Sequence, residues 1–183
     1  MEHSHILPTL CFAGFSGSGK TTLIEQLIFN LSEQGLRIYA IKHHGHRGFD
    51  IDVPGKDSYR FTAAGAALTI VASPDKFALV RELDDDPGLA TIIANLELNI
   101  EQGTTPRPDL LLVEGYKSSG LPCVMIDRAS NANPKHIQLA EVENPVGVVT
   151  DVAETIADAQ ALGIPVFAFE ETERLATFAK SFI

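Results

Sequence analysis

The stretch Gly14-Phe15-Ser16-Gly17-Ser18-Gly19-Lys20-Thr21 decides the fold of this chain, because it matches the phosphate-binding loop pattern G-x-x-x-x-G-K-[ST]. It stands between an apolar run, residues 10–13, and an amphipathic segment that begins near Thr21. A strand, a loop and a helix in this order gather unpaired backbone N–H groups and the positive end of a helix dipole at one point. The pattern therefore predicts a nucleotide site of the P-loop type.

The residues of this loop have predicted roles. The backbone N–H groups are expected to hold the phosphates, Lys20 to reach the β- and γ-phosphates, and the Thr21 hydroxyl to bind Mg²⁺. The predicted nucleotide-binding residues of the loop are Gly14, Ser16, Gly17, Ser18, Gly19, Lys20, Thr21 and Thr22.

Composition narrows the class of protein. A chain of 183 residues with 45% hydrophobic content predicts a single P-loop nucleotide-binding domain over residues 1–183. The net charge of -10 opposes binding to a polyanion, so neither nucleic acid nor an anionic membrane is an expected partner. Cys11 and Cys123 are expected to be buried core residues, and no secretory leader or membrane-spanning run is found, so a cytoplasmic location is expected.

Short apolar runs recur along the chain without alternation, which is typical of strands that are buried on both faces. They cover residues 9–13, 37–41, 67–71, 110–113, 146–149 and 166–169. Helical patterns cover residues 21–34, 89–98 and 172–182, and a short helix capped by Asp57 or Ser58 is expected after a turn at residues 54–56. The sequence thus predicts an α/β fold with a mostly parallel sheet flanked by helices.

A β-hairpin is expected as an extension of this fold. Residues 70–72 and 77–81 are β-rich runs on either side of the turn Ser73-Pro74-Asp75. The hairpin could extend the sheet or reach a second subunit.

Two carboxylates flank the apolar run 110–113. Because ligands of open α/β sheets collect at the carboxyl ends of the strands, Glu114 is expected at the phosphate site and Asp109 at the opposite edge. Glu114 is therefore the predicted partner of Mg²⁺ or of a reacting water.

A histidine-rich segment, residues 42–52, follows the second predicted strand and is expected at the same edge. A metal site built from His43, His44 and His46 is one interpretation, and a polar lining that meets phosphate or Mg²⁺-bound water is the favoured one. Asp52 is predicted to order water around Mg²⁺, and Lys42 could add positive charge near the nucleotide.

Asp151 follows the run 146–149 and is the candidate base contact. A carboxylate accepts two hydrogen bonds from the N1–H and exocyclic amine of guanine, and adenine offers no such pair of donors. The guanine motif N-K-x-D is missing, and Asp151 could equally cap a following helix, so the choice of base stays open.

Several motifs combine into a resemblance. They are Gly17-Ser18-Gly19-Lys20-Thr21-Thr22, Ile41-Lys42-His43-His44, the block 50–59 with its Pro54-Gly55-Lys56-Asp57-Ser58-Tyr59, Ala63-Ala64-Gly65-Ala66, and Leu112-Val113-Glu114-Gly115-Tyr116-Lys117. Over about residues 11–151 the chain resembles the MobB family, the accessory proteins of molybdopterin-guanine dinucleotide biosynthesis.

The resemblance implies a GTP-binding homodimer with low GTPase activity, in which a β-hairpin contributes to dimerisation and Mg²⁺ is the metal. It implies molybdopterin or its guanine dinucleotide, a nucleotidyltransferase and a molybdenum-insertion protein as partners. The residues that carry over are the loop from Gly14 to Thr22, Asp52 and Glu114 near Mg²⁺, and Asp151 near the base. Lys20, Asp52 and Glu114 are then the predicted catalytic residues.

Two other function classes remain open, a P-loop small-molecule kinase and a metallochaperone-type GTPase that uses the histidine segment. No arginine stands beside the phosphate loop in the sequence, so slow hydrolysis is expected, because an arginine at the transition state contributes roughly 10³ to 10⁵ in rate. Arg47 and Arg60 could act across a dimer.

Overall fold

The computed structural model describes residues 7–45, 48–130 and 136–183. The backbone divides into two compact units, Met1–His43 with Ile92–Ile183 as the first and His44–Thr91 as the second. The single domain over residues 1–183 stays a prediction.

The secondary structure alternates between strands and helices. In chain order the strands are β1 (Thr9–Ala13), β2 (Ile38–Lys42), β3 (Leu68–Ala72), β4 (Phe77–Arg81), β5 (Leu110–Glu114), β6 (Cys123–Asp127), β7 (Pro145–Thr150) and β8 (Val166–Phe167). The helices are α1 (Lys20–Glu33), α2 (Asp57–Ala63), α3 (Gly88–Glu101), α4 (Ala153–Ala161) and α5 (Thr172–Ala179). None of the described helices is both long and apolar enough to cross a membrane.

The first unit holds a six-stranded sheet in the order β2-β5-β1-β6-β7-β8, and every described strand pair in it is parallel. β1 lies between β5 and β6, with Thr9 opposite Leu111 and Cys11 opposite Cys123. The carboxyl ends of these three strands therefore meet at one edge of the sheet. The predicted mostly parallel sheet flanked by helices is confirmed.

The core forms where α1 and α5 pack on one face of the sheet. Alternate residues of the strands point to that face, as the two-residue period of a strand requires. Leu10 and Phe12 of β1 are fully buried there against Leu27 and Leu31 of α1. Leu175 of α5 completes the cluster.

Two elements of the first unit were not predicted. β6 is an apolar run like the others and its five residues are all buried, but no strand is predicted there. α4 is predicted only as a segment that Asp151 could cap, and its N-cap is Val152. The last predicted strand, residues 166–169, ends at Phe167, because the Ala168 N–H turns to the Glu171 side chain at 2.8 Å.

The second unit contains the predicted hairpin. β3 and β4 pair antiparallel, and Ser73 donates its backbone N–H to the Lys76 carbonyl at 2.8 Å in the turn. The prediction of a buried strand at residues 67–71 is wrong, since β3 belongs to a separate two-stranded sheet whose only buried residue in β3 is Thr69. α2 begins at Asp57 with Lys56 as its N-cap, one residue before the first of the two predicted caps, Asp57 and Ser58.

The two cysteines pack in the sheet core, where both are buried as predicted. Burial raises the pKa of the Cys11 thiol, and burial together with the nearby Cys11 raises the pKa of the Cys123 thiol to about 12. The thiolate is the reactive form of cysteine. These two thiols are therefore unreactive while the sheet is intact.

We expect neither cysteine to react with iodoacetamide at pH 8 in the native chain and both to react in denaturant, as mass spectrometry would show. Because the folded thiols bind their protons more tightly than unfolded ones, their contribution to stability is complete below about pH 9 and is lost as the pH rises toward about 12. Rapid native alkylation of Cys123 would contradict the burial of β6.

Candidate functional site

The phosphate loop lies between β1 and α1 in the first unit. Gly19 precedes the helix with a φ of 88°, a left-handed conformation that favours glycine. A Cβ at Gly14 would lie 2.4 Å from the Ile126 carbonyl oxygen of β6, so only glycine fits at this position. The Ser18 hydroxyl is buried and has no hydrogen-bond partner within the described residues. The loop thus packs closely on the end of β6.

Lys20 is the cation of the loop. Its Nζ donates a hydrogen bond to the Phe15 carbonyl at 2.7 Å, so the side chain folds back over the loop that precedes it. Burial lowers the pKa of the Lys20 ammonium, the Glu114 carboxylate opposes this shift, and Lys42 adds to it. The charge is therefore partly removed from water at the place where a phosphate is predicted.

Glu114 joins the loop to the neighbouring strand. Its Oε1 accepts a hydrogen bond from Lys42 Nζ at 2.8 Å, and its Oε2 accepts one from Thr21 Oγ1 at 3.3 Å. The Glu114 side chain is 16% exposed, whereas Lys42 is largely exposed. A hydroxyl and a carboxylate that face each other are oxygen donors of the kind that Mg²⁺ prefers, so Thr21 and Glu114 fit this ion.

The other predicted carboxylates lie at different places. Asp109 precedes β5 at the edge away from the loop and accepts the Arg37 N–H at 2.6 Å. Asp52 belongs to the second unit, where it accepts the Val53 N–H at 2.8 Å. Asp151 follows β7 and accepts the Ala129 N–H at 2.6 Å. The structure therefore brings Glu114 to the loop, and the roles of Asp52 and Asp151 stay predictions.

The histidine segment is divided between the two units. His43 follows β2, and its ring stacks on that of Tyr116 with 4.2 Å between centroids. His44 lies in the second unit against Phe49, and His46 falls outside the described residues. Within residues 7–45, 48–130 and 136–183, no group of three or more His, Cys, Asp or Glu side chains could hold a metal ion.

A polar cluster closes the end of β6. The buried Asp127 accepts a hydrogen bond from Thr155 of α4 at 2.8 Å, and its other oxygen lies 2.8 Å from His136 Nδ1. The Asp127 side chain is 4% exposed. These contacts fix the carboxyl end of β6 just before Arg128.

Arg128 forms one wall of a chamber beside the loop. Its guanidinium stacks on the Phe169 ring, with Cζ 3.7 Å from the ring centroid, and a Cβ at Gly19 would lie 3.5 Å from the same carbon. The Arg128 Nε is buried and has no hydrogen-bond partner in the described chain. The chamber measures about 320 Å³ and is lined by Gly19, Thr22, Leu23, Gln26, Arg128, Phe169, Glu170 and Thr172.

An arginine therefore lies beside the loop in the fold, whereas the expected lack of an arginine finger stays a prediction. Arg128 is distant from Gly19 in sequence and reaches it because β6 is the neighbour of β1. One signal could have found it, since the apolar run Cys123–Asp127 ends on charged residues in the same way as the run that ends on Glu114.

Comparisons with known proteins identify the family of this chain. The family model for molybdopterin guanine dinucleotide synthesis protein B, MobB, matches residues 9–151. The chain belongs to the MobB family.

Two curated MobB relatives illustrate the similarity, both described as molybdopterin-guanine dinucleotide biosynthesis adapter proteins. The protein of Escherichia coli (strain K12) is 38% identical over 152 residues, which cover 83% of each chain. That of Haemophilus influenzae is 34% identical over 128 residues, 70% of this chain and 67% of that protein. The crystal structure of Bacillus subtilis MobB superposes with a TM-score of 0.67 at 30% identity, over 97% of this chain and 98% of that one.

We expect Gly14→Ala to lower the melting temperature and disrupt the loop, because the new Cβ would meet a backbone carbonyl 2.4 Å away. Gly35→Ala is the control, since nothing lies within 4 Å of its Cβ and only the left-handed φ of 83° is strained, at a cost of about 1–2 kcal/mol. Differential scanning calorimetry compares the two variants. Equal decreases in melting temperature for the two variants would contradict the close approach of Gly14 to the Ile126 carbonyl.

Proposed function

We propose that this chain is a GTP-binding adapter protein of molybdopterin guanine dinucleotide biosynthesis, with slow GTP hydrolysis. The observation that carries the proposal is the phosphate loop with Lys20 folded over it and Glu114 beside Thr21. Membership of the MobB family and the adapter role of its relatives support the pathway.

The triphosphate is expected to bind where β1 gives way to α1. There the free N–H groups at the start of α1, which begins at Lys20, point in the direction of the bound anion. The partly buried Lys20 ammonium gains more from a phosphate oxygen than an exposed lysine does, because less water screens the charge.

The same proposal places Mg²⁺ at Thr21 and Glu114, with Asp52 as a further predicted contact. When bound, Mg²⁺ neutralises charge on the β- and γ-phosphates. The Lys42 ammonium holds the Glu114 carboxylate in place, because it donates to Oε1 at 2.8 Å and leaves Oε2 directed at Thr21.

Hydrolysis is expected to be slow. In the described part of the first unit, Arg128 lies beside the loop and is held on the Phe169 ring next to Gly19. A cation fixed there would contribute to nucleotide binding. A fast hydrolase instead places an arginine against the phosphoryl group that is transferred. Lys20, Glu114 and Asp52 are the proposed catalytic residues.

The adapter role requires protein partners, and we propose the nucleotidyltransferase and the molybdenum-insertion protein of the pathway. The cofactor that these proteins handle is molybdopterin or its guanine dinucleotide. The proposed location is the cytoplasm. A homodimer is also proposed. The hairpin supports this proposal. Ile70 and Leu79, which face each other across its two strands, are 52% and 51% exposed, and Phe77 is 68% exposed. Exposed apolar residues in such a cluster favour a protein interface.

We expect Lys20→Ala to weaken binding of Mg²⁺-GTP about 10- to 100-fold, the loss typical of a hydrogen bond to a charged group, in isothermal titration calorimetry. Lys180→Ala is the matched control, because Lys180 donates to the distant Gln34 side chain and lies outside the loop. Equal affinity in wild type and Lys20→Ala would overturn the proposed phosphate site.

We expect Leu79→Asp to raise the dissociation constant of the dimer at least about tenfold, since an unpaired carboxylate would be buried in the interface. Sedimentation velocity measures the monomer fraction, and Lys76→Gln in the turn serves as the control. A wild-type chain that stays monomeric at micromolar concentration would contradict the proposed homodimer.

A further inference from the structure

The chamber beside the phosphate loop is placed for the nucleoside of a bound triphosphate, and this inference rests on the proposed nucleotide-binding function. The chamber begins at Gly19 of the loop and continues along Thr22 and Gln26 of α1. In a nucleoside triphosphate the nucleoside is bonded to the α-phosphate. When the loop holds the phosphates, the nucleoside must therefore lie next to the loop. A volume of about 320 Å³ is within the range of small-molecule pockets, roughly 300–1,000 Å³.

One wall of the chamber suits a planar ring. The Arg128 guanidinium lies over the Phe169 ring, with 3.7 Å between the guanidinium carbon and the ring centroid. Thr155 and His136 hold the side chain of Asp127, the residue directly before Arg128. Nucleobases stack on aromatic rings and on guanidinium planes.

Two carboxylates stand side by side in the chain after Phe169, and only Glu170 lines the chamber. Glu171 is occupied, since its Oε2 accepts the Ala168 N–H at 2.8 Å and both of its oxygens accept Arg174 Nη1 at 3.0 Å. Glu170 lines the chamber and accepts no hydrogen bond from another residue in the described ranges. Glu171 thus fixes the turn, and the exposed Glu170 carboxylate can exchange water for a ligand.

Asp151 is in a different position. One of its oxygens already accepts the Ala129 N–H at 2.6 Å, and Asp151 does not line the chamber. A side chain that selects the base must touch it, so Glu170, which lines the chamber, is better placed than Asp151.

We infer that the chamber of Arg128, Phe169 and Glu170 binds the purine nucleoside, and that Glu170 selects guanine. The carboxylate accepts the N1–H and the 2-amino group of guanine. Adenine presents an unprotonated N1 and no amine at C2, so the lone pair of N1 would face the carboxylate and repel it. Glu170 is thus a specificity-determining residue, and the Arg128–Phe169 stack supplies contact that does not depend on the base.

The test measures calorimetric affinities of GTP, ATP, xanthosine triphosphate and inorganic triphosphate, each with Mg²⁺. We expect Glu170→Gln to weaken GTP about 10- to 100-fold and to leave inorganic triphosphate unchanged. It should strengthen xanthosine triphosphate, because the amide donates to the 2-oxo group of xanthine while its oxygen accepts N1–H. Glu173→Gln is the matched control, an equal change of charge on an exposed residue of α5 outside the chamber.

A second variant tests the stack. Arg128→Ala should weaken GTP and ATP by similar factors and keep the ratio between them, with little change for inorganic triphosphate. A structural defect would instead reduce all four affinities, and circular dichroism with thermal melting identifies it.

The outcomes separate this inference from the proposed function. If inorganic triphosphate and GTP both fail to bind the wild-type chain, the proposed nucleotide-binding function itself is overturned. If GTP binds and depends on Lys20, but Glu170→Gln has the same preference for GTP over ATP and xanthosine triphosphate as the control, the assignment of Glu170 is overturned and the phosphate site stands.

Discussion

The site depends on the position of β1, which is hydrogen-bonded on both sides within the sheet. β5 on one side ends at Glu114, and β6 on the other ends at Asp127. The parallel register brings both ends to the loop that follows β1. The loop is thus flanked by an anionic side, where Glu114 faces Thr21, and a cationic side, where Arg128 packs against Gly19.

The features that the sequence predicts well are those encoded locally. The phosphate loop, the helix after it and the hairpin around Ser73-Pro74-Asp75 each depend on a few consecutive residues, and the structure has all three. The position of Glu114 at the loop also follows from the sequence, because the direction of a parallel strand determines the edge at which its last residue lies. Periodicity, turn chemistry and strand direction therefore predict most of the fold, and the functional roles of the site residues stay predictions.

The features that were missed depend on which strands become neighbours. Strand order is a tertiary property, so nothing in the local pattern places Arg128 beside Gly19 or Phe169 under its guanidinium. The segment 67–71 shows the same limit, because an apolar run predicts burial only when another element covers it. Distinguishing Glu170 from Glu171 likewise required the contacts of the folded turn.

The hydrogen bond from Lys20 to the Phe15 carbonyl fixes the direction of the ammonium within the loop. An ammonium carries three N–H donors, so the carbonyl 2.7 Å away occupies one of them and two remain. In the proposed phosphate site, those two donors would meet negative oxygens from a side chain that is already held in one conformation. The internal contact thus acts as preorganisation, which reduces the entropy lost when a ligand binds.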